Sequence, residues 1–140
     1  MEKEVQIEQV VAACTWRIRQ QVLYPQGHLR DVQVDGDFDA VHFGAYHAHR
    51  LIGVVSLFEK DCKYQFRKFA VLPDHQQQGV GSSLMRAMLD VVQIWNGQLL
   101  WCNARIDAAP FYEKFGLSIV GQPFNKNQID YVRMEKALSF

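Results

Sequence analysis

Apolar residues recur along the chain with two spacings, and these predict an alternation of helices and strands. Residues 10–23 carry apolar side chains every three or four positions, and residues 81–95 repeat that helical pattern over about four turns. Residues 108–115 have the length of a shorter helix, with Pro110 in its first turn and Gly116 after its end. Shorter apolar or alternating runs predict strands at 5–8, 41–47, 51–58, 63–72, 99–102, 117–121 and 129–134.

The order of these elements predicts a mixed α/β fold, in which helices lie on the faces of one sheet. The length of 140 residues suits a single domain that spans 1–140. Residues 25–39 are rich in proline, glycine and aspartate, which predicts an exposed loop. The aspartates of this segment are Asp31, Asp35, Asp37 and Asp39.

Composition and charge exclude several classes of protein. Basic and acidic residues number 15 each, and this balance argues against a duplex-DNA binder or a polybasic membrane-surface protein. No apolar run approaches the roughly 18 residues that a membrane span needs, and the first residues lack the apolar core of a signal peptide. The three cysteines are far apart, which indicates reduced thiols in a cytoplasmic protein and neither a disulfide framework nor a metal site.

The boundary between the strand at 63–72 and the helix at 81–95 is the sharpest feature of the chain. Pro73 ends the strand, a polar loop with Gly79 and Gly81 follows, and the long helix begins at once. The first turn of a helix presents unpaired N–H groups, and glycine lets a phosphate approach the backbone closely, so this boundary predicts an anion site. The loop lacks the Gly-Lys-Ser/Thr of a Walker loop, and Leu84 breaks the dinucleotide-binding pattern GxGxxG.

Gln76, Gly79 and Gly81 resemble the pyrophosphate loop Gln/Arg-x-x-Gly-x-Gly/Ala of the GNAT superfamily of N-acetyltransferases. Residues 108–117, with the sequence AAPFYEKFGL, resemble the second signature of that family, and residues 51–56 resemble its third strand. The resemblance covers about residues 10–136 and implies the GNAT fold, a mixed, mostly antiparallel sheet with helices on both faces. Residues 17–23 and 124–130 also resemble a bacterial subgroup typified by ElaA-like and YjcF-like proteins.

The resemblance implies that the chain binds acetyl-CoA as its acyl donor. Main-chain groups of Phe69, Ala70 and Val71 would pair with the pantetheine arm like an added strand. Asn103 and Tyr112 would complete a cofactor site that contains no metal. Backbone N–H groups would hold the pyrophosphate, and they belong to Gln76, Gln77, Gln78, Gly79, Val80, Gly81 and Ser82.

The loop departs from the family pattern in its charge. Many members carry arginine or lysine there, whereas this chain has three glutamines at 76–78. Phosphate binding would then rest on N–H groups and the helix dipole, worth about 0.3–1 kcal/mol for each screened charge. The alternative is a contribution from Arg86, Arg105 or Lys114, outside the loop.

Tyr112 is the catalytic residue that the resemblance implies. Acetyl transfer needs a neutral amine, a polarised thioester oxygen and a stabilised thiolate leaving group. Proton transfer from a phenol with a pKa of about 10 to a thiolate with a pKa of about 8.5 is uphill by about 2 kcal/mol. We therefore expect Tyr112 to donate a hydrogen bond to the thiolate, and an N–H near Val71 to donate to the thioester oxygen. The alternative is that Tyr112 only packs beside Phe111.

The sequence leaves the general base open. Some relatives carry a glutamate on the fourth strand, but this chain has Gln65 in that region, and an amide cannot accept the proton. Cys102 on the fifth strand is expected to be a buried packing residue, because nothing cationic adjoins it to lower its pKa. The candidates that remain, each acting through water, are His42, His47, Asp39 and Glu59.

Together these features predict a cytoplasmic, acetyl-CoA-dependent N-acetyltransferase that moves an acetyl group directly to a primary amine of a small molecule or peptide. The aspartates of residues 25–39 would attract a cationic amine, or they are simply solvated. The alternative function is a non-catalytic acyl-CoA-binding module with the same fold, which the missing fourth-strand glutamate favours. We expect no nucleic-acid or membrane partner, and either a monomer or a homodimer.

Overall fold

Seven strands form one mixed sheet in the computed structural model, which describes residues 3–138. The strands are β1 (Gln6–Val10), β2 (Val41–His47), β3 (Arg50–Lys60), β4 (Lys63–Val71), β5 (Leu99–Arg105), β6 (Ser118–Lys126) and β7 (Ile129–Ala137). The helices are α1 (Ala12–Leu23), α2 (Leu29–Val32), α3 (Val80–Ile94) and α4 (Ala109–Glu113), with 3-10 turns at Asp37–Asp39, Pro73–His75 and Ile106–Ala108.

The mixed α/β class predicted from the order of elements is confirmed. The strand order is β1-β2-β3-β4-β5-β7-β6. Four of the pairs, β1–β2, β2–β3, β5–β7 and β7–β6, are antiparallel, whereas β4 and β5 pair in parallel. The helix of residues 81–95 is observed as α3, and Asn96, two residues after its end, has a φ of +57°, which is typical of a helix C-cap.

Several elements differ in their bounds from the prediction. Val10 pairs with His42 and so belongs to β1, which shortens the predicted first helix by two residues. β6 continues to Lys126 because pairing with β7 resumes at Phe124, after an irregularity that contains Gly121 and a proline. The segment 25–39 is not simply a loop, since it contains α2 and a 3-10 turn.

The first of two compact units comprises the chain up to Phe58 together with Arg67–Val91. β3 forms its centre, and residues 52–57 of that strand are all buried, which confirms a strand covered on both faces. The second unit comprises Glu59–Phe66 and the chain from Val92 onward. There the buried residues of β5 alternate with exposed or half-buried ones, and β6 is exposed along its whole length.

A buried polar network ties α1 to the segment that follows it in the first unit. The Arg19 guanidinium donates to both carboxylate oxygens of Asp37, at 2.8 and 3.0 Å, and to the Ser56 hydroxyl at 2.7 Å. It also donates to the Val32 carbonyl at 2.8 Å, and the Trp16 indole donates to Asp37 at 3.1 Å. Asp37 is therefore buried and paired, so it is not available to attract an amine, contrary to one of the two expectations for the aspartates of this segment.

His42 belongs to the same network. Its Nε2 lies 2.8 Å from the Asp37 backbone oxygen, which can only accept, so this nitrogen carries the hydrogen. In the neutral ring Nδ1 then accepts from the Ser56 hydroxyl at 2.7 Å. Both nitrogens are occupied and the ring is only 2% exposed, which removes His42 from the candidate bases.

We expect replacement of Asp37 with Asn to lower the free energy of unfolding by about 3–5 kcal/mol, because Arg19 would keep a buried charge without its carboxylate partner. Denaturant titration near neutral pH measures this difference. The matched control is Asp35→Asn, an exposed change in the same segment that should shift the value by at most about 0.5 kcal/mol. Equal stability of the Asp37→Asn variant and the wild type would contradict the role of the network.

The same pair predicts a dependence of stability on pH. Burial alone would raise the pKa of Asp37, but hydrogen bonds from Arg19, Val34 and Trp16 and the Arg19 charge hold it below its ordinary value of 3.8. The stabilisation is therefore complete above that value and is lost as the pH falls through the lowered pKa. The Asp37→Asn variant should lack this loss of stability at acid pH.

Candidate active site

The loop between β4 and α3 has the strand–loop–helix arrangement that the sequence predicted. α3 begins at Val80, one residue earlier than expected, and the Ser83 N–H donates to the Gly79 carbonyl at 3.0 Å. Gly79 has a φ of +83°, in the left-handed region that favours glycine. The N–H groups of the first turn of α3 therefore start directly after this glycine, as an anion site requires. Binding of a cofactor there stays a prediction.

Gly53 of β3 lets the start of α3 pack closely against the sheet within the first unit. A methyl group at this glycine would come within 3.1 Å of Val80, 3.3 Å of Leu84 and 3.4 Å of Val71. Val80 and Leu84 are buried, so neither side chain can turn away into solvent. A side chain at Gly53 would therefore displace the start of α3 from the sheet by a few tenths of an ångström.

Two of the loop glutamines bind main-chain carbonyls, one at the end of β4 and one within the loop. The Gln76 side-chain amide donates to the Val71 carbonyl at 2.9 Å, and that of Gln78 donates to the Asp74 carbonyl at 3.2 Å. Gln77 is exposed and has a φ of +60°. Gln76 and Gln78 therefore stabilise the main chain around the loop. The Gln76 N–H donates to the Pro73 carbonyl at 3.3 Å, so this one of the predicted phosphate donors is already engaged.

The residues expected to pair with pantetheine lie at the end of β4. Ala70 is buried, whereas Phe69 and Val71 are half-buried. The Leu72 N–H donates to the Ile52 carbonyl at 2.9 Å, which holds the end of β4 against β3. The Val71 carbonyl already accepts from Gln76, and a carbonyl oxygen has a second lone pair for a further donor.

Tyr112 and Asn103 lie in the second unit. Tyr112 belongs to α4 and is half-buried, with its ring centroid 5.4 Å from that of Phe66 and 5.2 Å from that of Phe111. Burial, and to a smaller extent the neighbouring Cys102, raises the pKa of Tyr112 well above its ordinary value. A phenol with a raised pKa keeps its proton and can donate a hydrogen bond. Asn103 is exposed on β5.

Of the four candidate bases, three remain after the exclusion of His42. The Nδ1 of His47 lies 2.9 Å from the Glu4 carbonyl and carries the hydrogen, so its Nε2 is the basic nitrogen of the neutral ring. Glu59 accepts from the Cys62 N–H at 2.9 Å in the turn after β3. Asp39 is exposed at the end of a 3-10 turn.

Lys68, in the middle of β4, is not among the site residues that the sequence predicts. Lys68 has a φ of +55°, and its ammonium donates a hydrogen bond to the Tyr24 hydroxyl just after α1. The only signal was an imperfect alternation, since two cations, Arg67 and Lys68, interrupt the apolar positions of the strand.

Residues 3–138 contain neither a group of metal-ligand side chains nor a helix that could cross a membrane. No three side chains of His, Cys, Asp or Glu come close enough together there to hold a metal ion. No helix in that part of the chain has both the length and the apolar character to cross a membrane.

Residues 20–138 match the family described as Acetyltransferase (GNAT) domain. The curated relative YitI of Bacillus subtilis, named an uncharacterized N-acetyltransferase, is 25% identical over 130 residues, which are 86% of this chain and 87% of YitI.

Solved structures share the fold at lower sequence identity. Escherichia coli ElaA has a TM-score of 0.81 and 15% identity, with 95% of this chain and 99% of ElaA covered. A GNAT acetyltransferase of Elizabethkingia anophelis, solved with acetyl-CoA bound, has a TM-score of 0.76 and 17% identity, with 96% and 98% covered.

We expect Cys102 to resist alkylation in the folded protein, because burial raises its pKa to about 12. At about pH 8 only about one part in ten thousand would be the reactive thiolate. Cys14 and Cys62 are exposed and serve as internal controls. Mass spectrometry after brief treatment with iodoacetamide should find label on the two controls alone. Labelling of Cys102 at the same rate would contradict its burial beside Tyr112.

Proposed function

Because this chain belongs to the GNAT family of acetyltransferases, we propose that it is an acetyl-CoA-dependent N-acetyltransferase with a small-molecule or peptide amine as acceptor. The observation that carries the proposal is the junction of β4 and α3, where Gly79 turns the chain directly into the first turn of a long helix. Free cysteines at all three positions support a cytoplasmic protein. We also propose that residues 1–140 form one domain.

The cofactor would bind along the end of β4 and the start of α3. Main-chain groups of Phe69, Ala70 and Val71 would pair with pantetheine, and the N–H groups of residues 77–82 would hold the pyrophosphate. The Gln76 N–H is left out because it donates to the Pro73 carbonyl. Support for backbone binding comes from the loop residues 76–82, which include no lysine or arginine, and from Gln76 and Gln78, whose side-chain amides are engaged with main-chain carbonyls.

Chemistry would follow by direct transfer. The neutral amine nitrogen attacks the thioester carbonyl carbon, the C–S bond breaks, and the amine proton passes to a base through water. Tyr112 would donate its hydrogen bond to the departing thiolate, and Asn103 would contact the cofactor. The raised pKa of Tyr112 supports a donor that keeps its proton during most of the step.

A non-catalytic acyl-CoA-binding module is the second candidate function. Gln65 on β4 favours it, since an amide stands in the region where some relatives carry a glutamate. Release of free CoA thiol in the presence of an amine distinguishes the two functions, because only the enzyme consumes acetyl-CoA.

We expect acetyl-CoA to raise the melting temperature, since a ligand that binds only the folded state stabilises it by mass action. Gly81→Val should abolish this shift, because a β-branched side chain would occupy the approach of the phosphate. Gln93→Val is the matched control, as it introduces the same side chain on an exposed position of α3. An undiminished shift in the Gly81→Val variant would show that the phosphate lies elsewhere.

Tyr112→Phe should leave acetyl-CoA binding almost unchanged while kcat falls about ten- to a thousandfold, as for the loss of one transition-state donor. The substitution keeps the ring and its contacts with Phe66 and Phe111, and removes only the hydroxyl. Tyr131→Phe, in β7 of the same unit, is the control. Steady-state rates of CoA release measure the effect. Equal kcat in the Tyr112→Phe variant and the wild type would assign Tyr112 to packing.

A further inference from the structure

Lys68 holds an unfavourable backbone conformation in the middle of β4. Its φ of +55° lies in the left-handed region, which a residue with a Cβ seldom adopts. Phe66 and Ala70, two residues to either side, are buried, and Lys68 itself is half-buried. Such conformations persist where the surroundings enforce them, and they concentrate at functional sites.

The ammonium of Lys68 has a neutral partner. It donates a hydrogen bond to the Tyr24 hydroxyl and lies 4.9 Å from the centroid of the Tyr24 ring. Within residues 3–138, no carboxylate forms an ion pair with Lys68. A partly desolvated cation with only a neutral partner leaves a positive charge for a ligand to balance.

The pair also offers two hydrogen-bond donors to a common ligand. A lysine ammonium has three N–H groups, and the contact with Tyr24 uses one of them. Because the Tyr24 oxygen accepts from Lys68, its own O–H hydrogen is directed away from the ammonium. One cation and one hydroxyl suit a ligand with two oxygens and a single negative charge, which is a carboxylate. The neighbouring Arg67 lies over the Phe58 ring, with 5.6 Å from its guanidinium carbon to the ring centroid.

We infer that Lys68 and Tyr24 bind a carboxylate of the acceptor, so that the substrate is an amine that also carries a carboxylate, as an amino acid does. The inference rests on the proposed function and names the substrate class of that site. Lys68 immediately precedes Phe69–Val71, where the pantetheine is proposed to lie, and Tyr24 directly follows α1. An acceptor held by its carboxylate there would present its amine beside the strand that carries the acyl donor.

The test compares each amino acid with the amine that remains after its decarboxylation. Phenylalanine and phenethylamine, leucine and 3-methylbutylamine, and lysine and cadaverine form three such pairs. Phenylalaninamide, in which a neutral polar amide replaces the carboxylate, shows whether a preference depends on the negative charge. Release of CoA thiol gives kcat/KM for each compound, and the wild type should prefer the carboxylate-bearing member of at least one pair.

Lys68→Met should lower kcat/KM for that preferred acceptor about ten- to a hundredfold and leave the decarboxylated amine within about twofold. Lys68→Arg should retain part of the preference, and Tyr24→Phe should lose part of it. Arg67→Met removes the neighbouring cation on β4 and is the matched control. Lys68→Asn provides a second variant, since asparagine tolerates the left-handed conformation. The acetyl-CoA thermal shift should be the same in all of these proteins.

Three results would overturn the inference. The first is equal kcat/KM of the wild type for both members of every pair. The second is a fall of kcat/KM by the same factor for both members in the Lys68→Met variant. The third applies if acetyl-CoA binds but no compound of the panel is acetylated. Calorimetry then measures the affinity of the CoA-bound protein for phenylalanine and phenethylamine, and equal affinities would reject the site. Failure of acetyl-CoA to bind the wild type would instead reject the proposed function.

Discussion

The close approach of α3 to Gly53 is the constraint on which the proposed chemistry depends. Because this residue has no side chain, Val80 and Leu84 pack directly on β3, and the first turn of the helix follows closely on the end of β4. The N–H groups of that turn are the ones proposed to hold the phosphate. Gly53 on β3 therefore helps to position the proposed anion site without lining it.

A different interaction in the same compact unit stabilises α1, the helix that precedes Tyr24. Arg19 is buried on α1 and paired with Asp37, and its backbone carbonyl accepts from the Tyr24 N–H at 3.2 Å. The buried ion pair thus holds α1, and Tyr24, which meets Lys68, directly follows the end of that helix. Apolar packing holds the start of α3, whereas a charged network holds the helix that precedes Tyr24.

Local patterns in the sequence predict most of the helices and strands, but they predict fewer of the contacts at the candidate site. β2 has the predicted bounds because its pattern is local, and the β4–α3 junction was predicted because proline, glycine and an amphipathic helix follow one another. The burial of Asp37 was not predictable, since its partner Arg19 lies 18 positions away. The conformation of Lys68 was also missed, because it depends on tertiary contacts.

Titration of CoA into the isotope-labelled protein, followed by amide NMR, tests most directly the claim that backbone N–H groups hold the pyrophosphate. The account predicts that the largest shifts fall on the amides of residues 77–82. Pantetheine, which lacks the diphosphate, should shift the amides of residues 69–71 but leave those of 77–82 largely unchanged. Equal shifts of 77–82 with both ligands, or no shift there with CoA, would contradict the account.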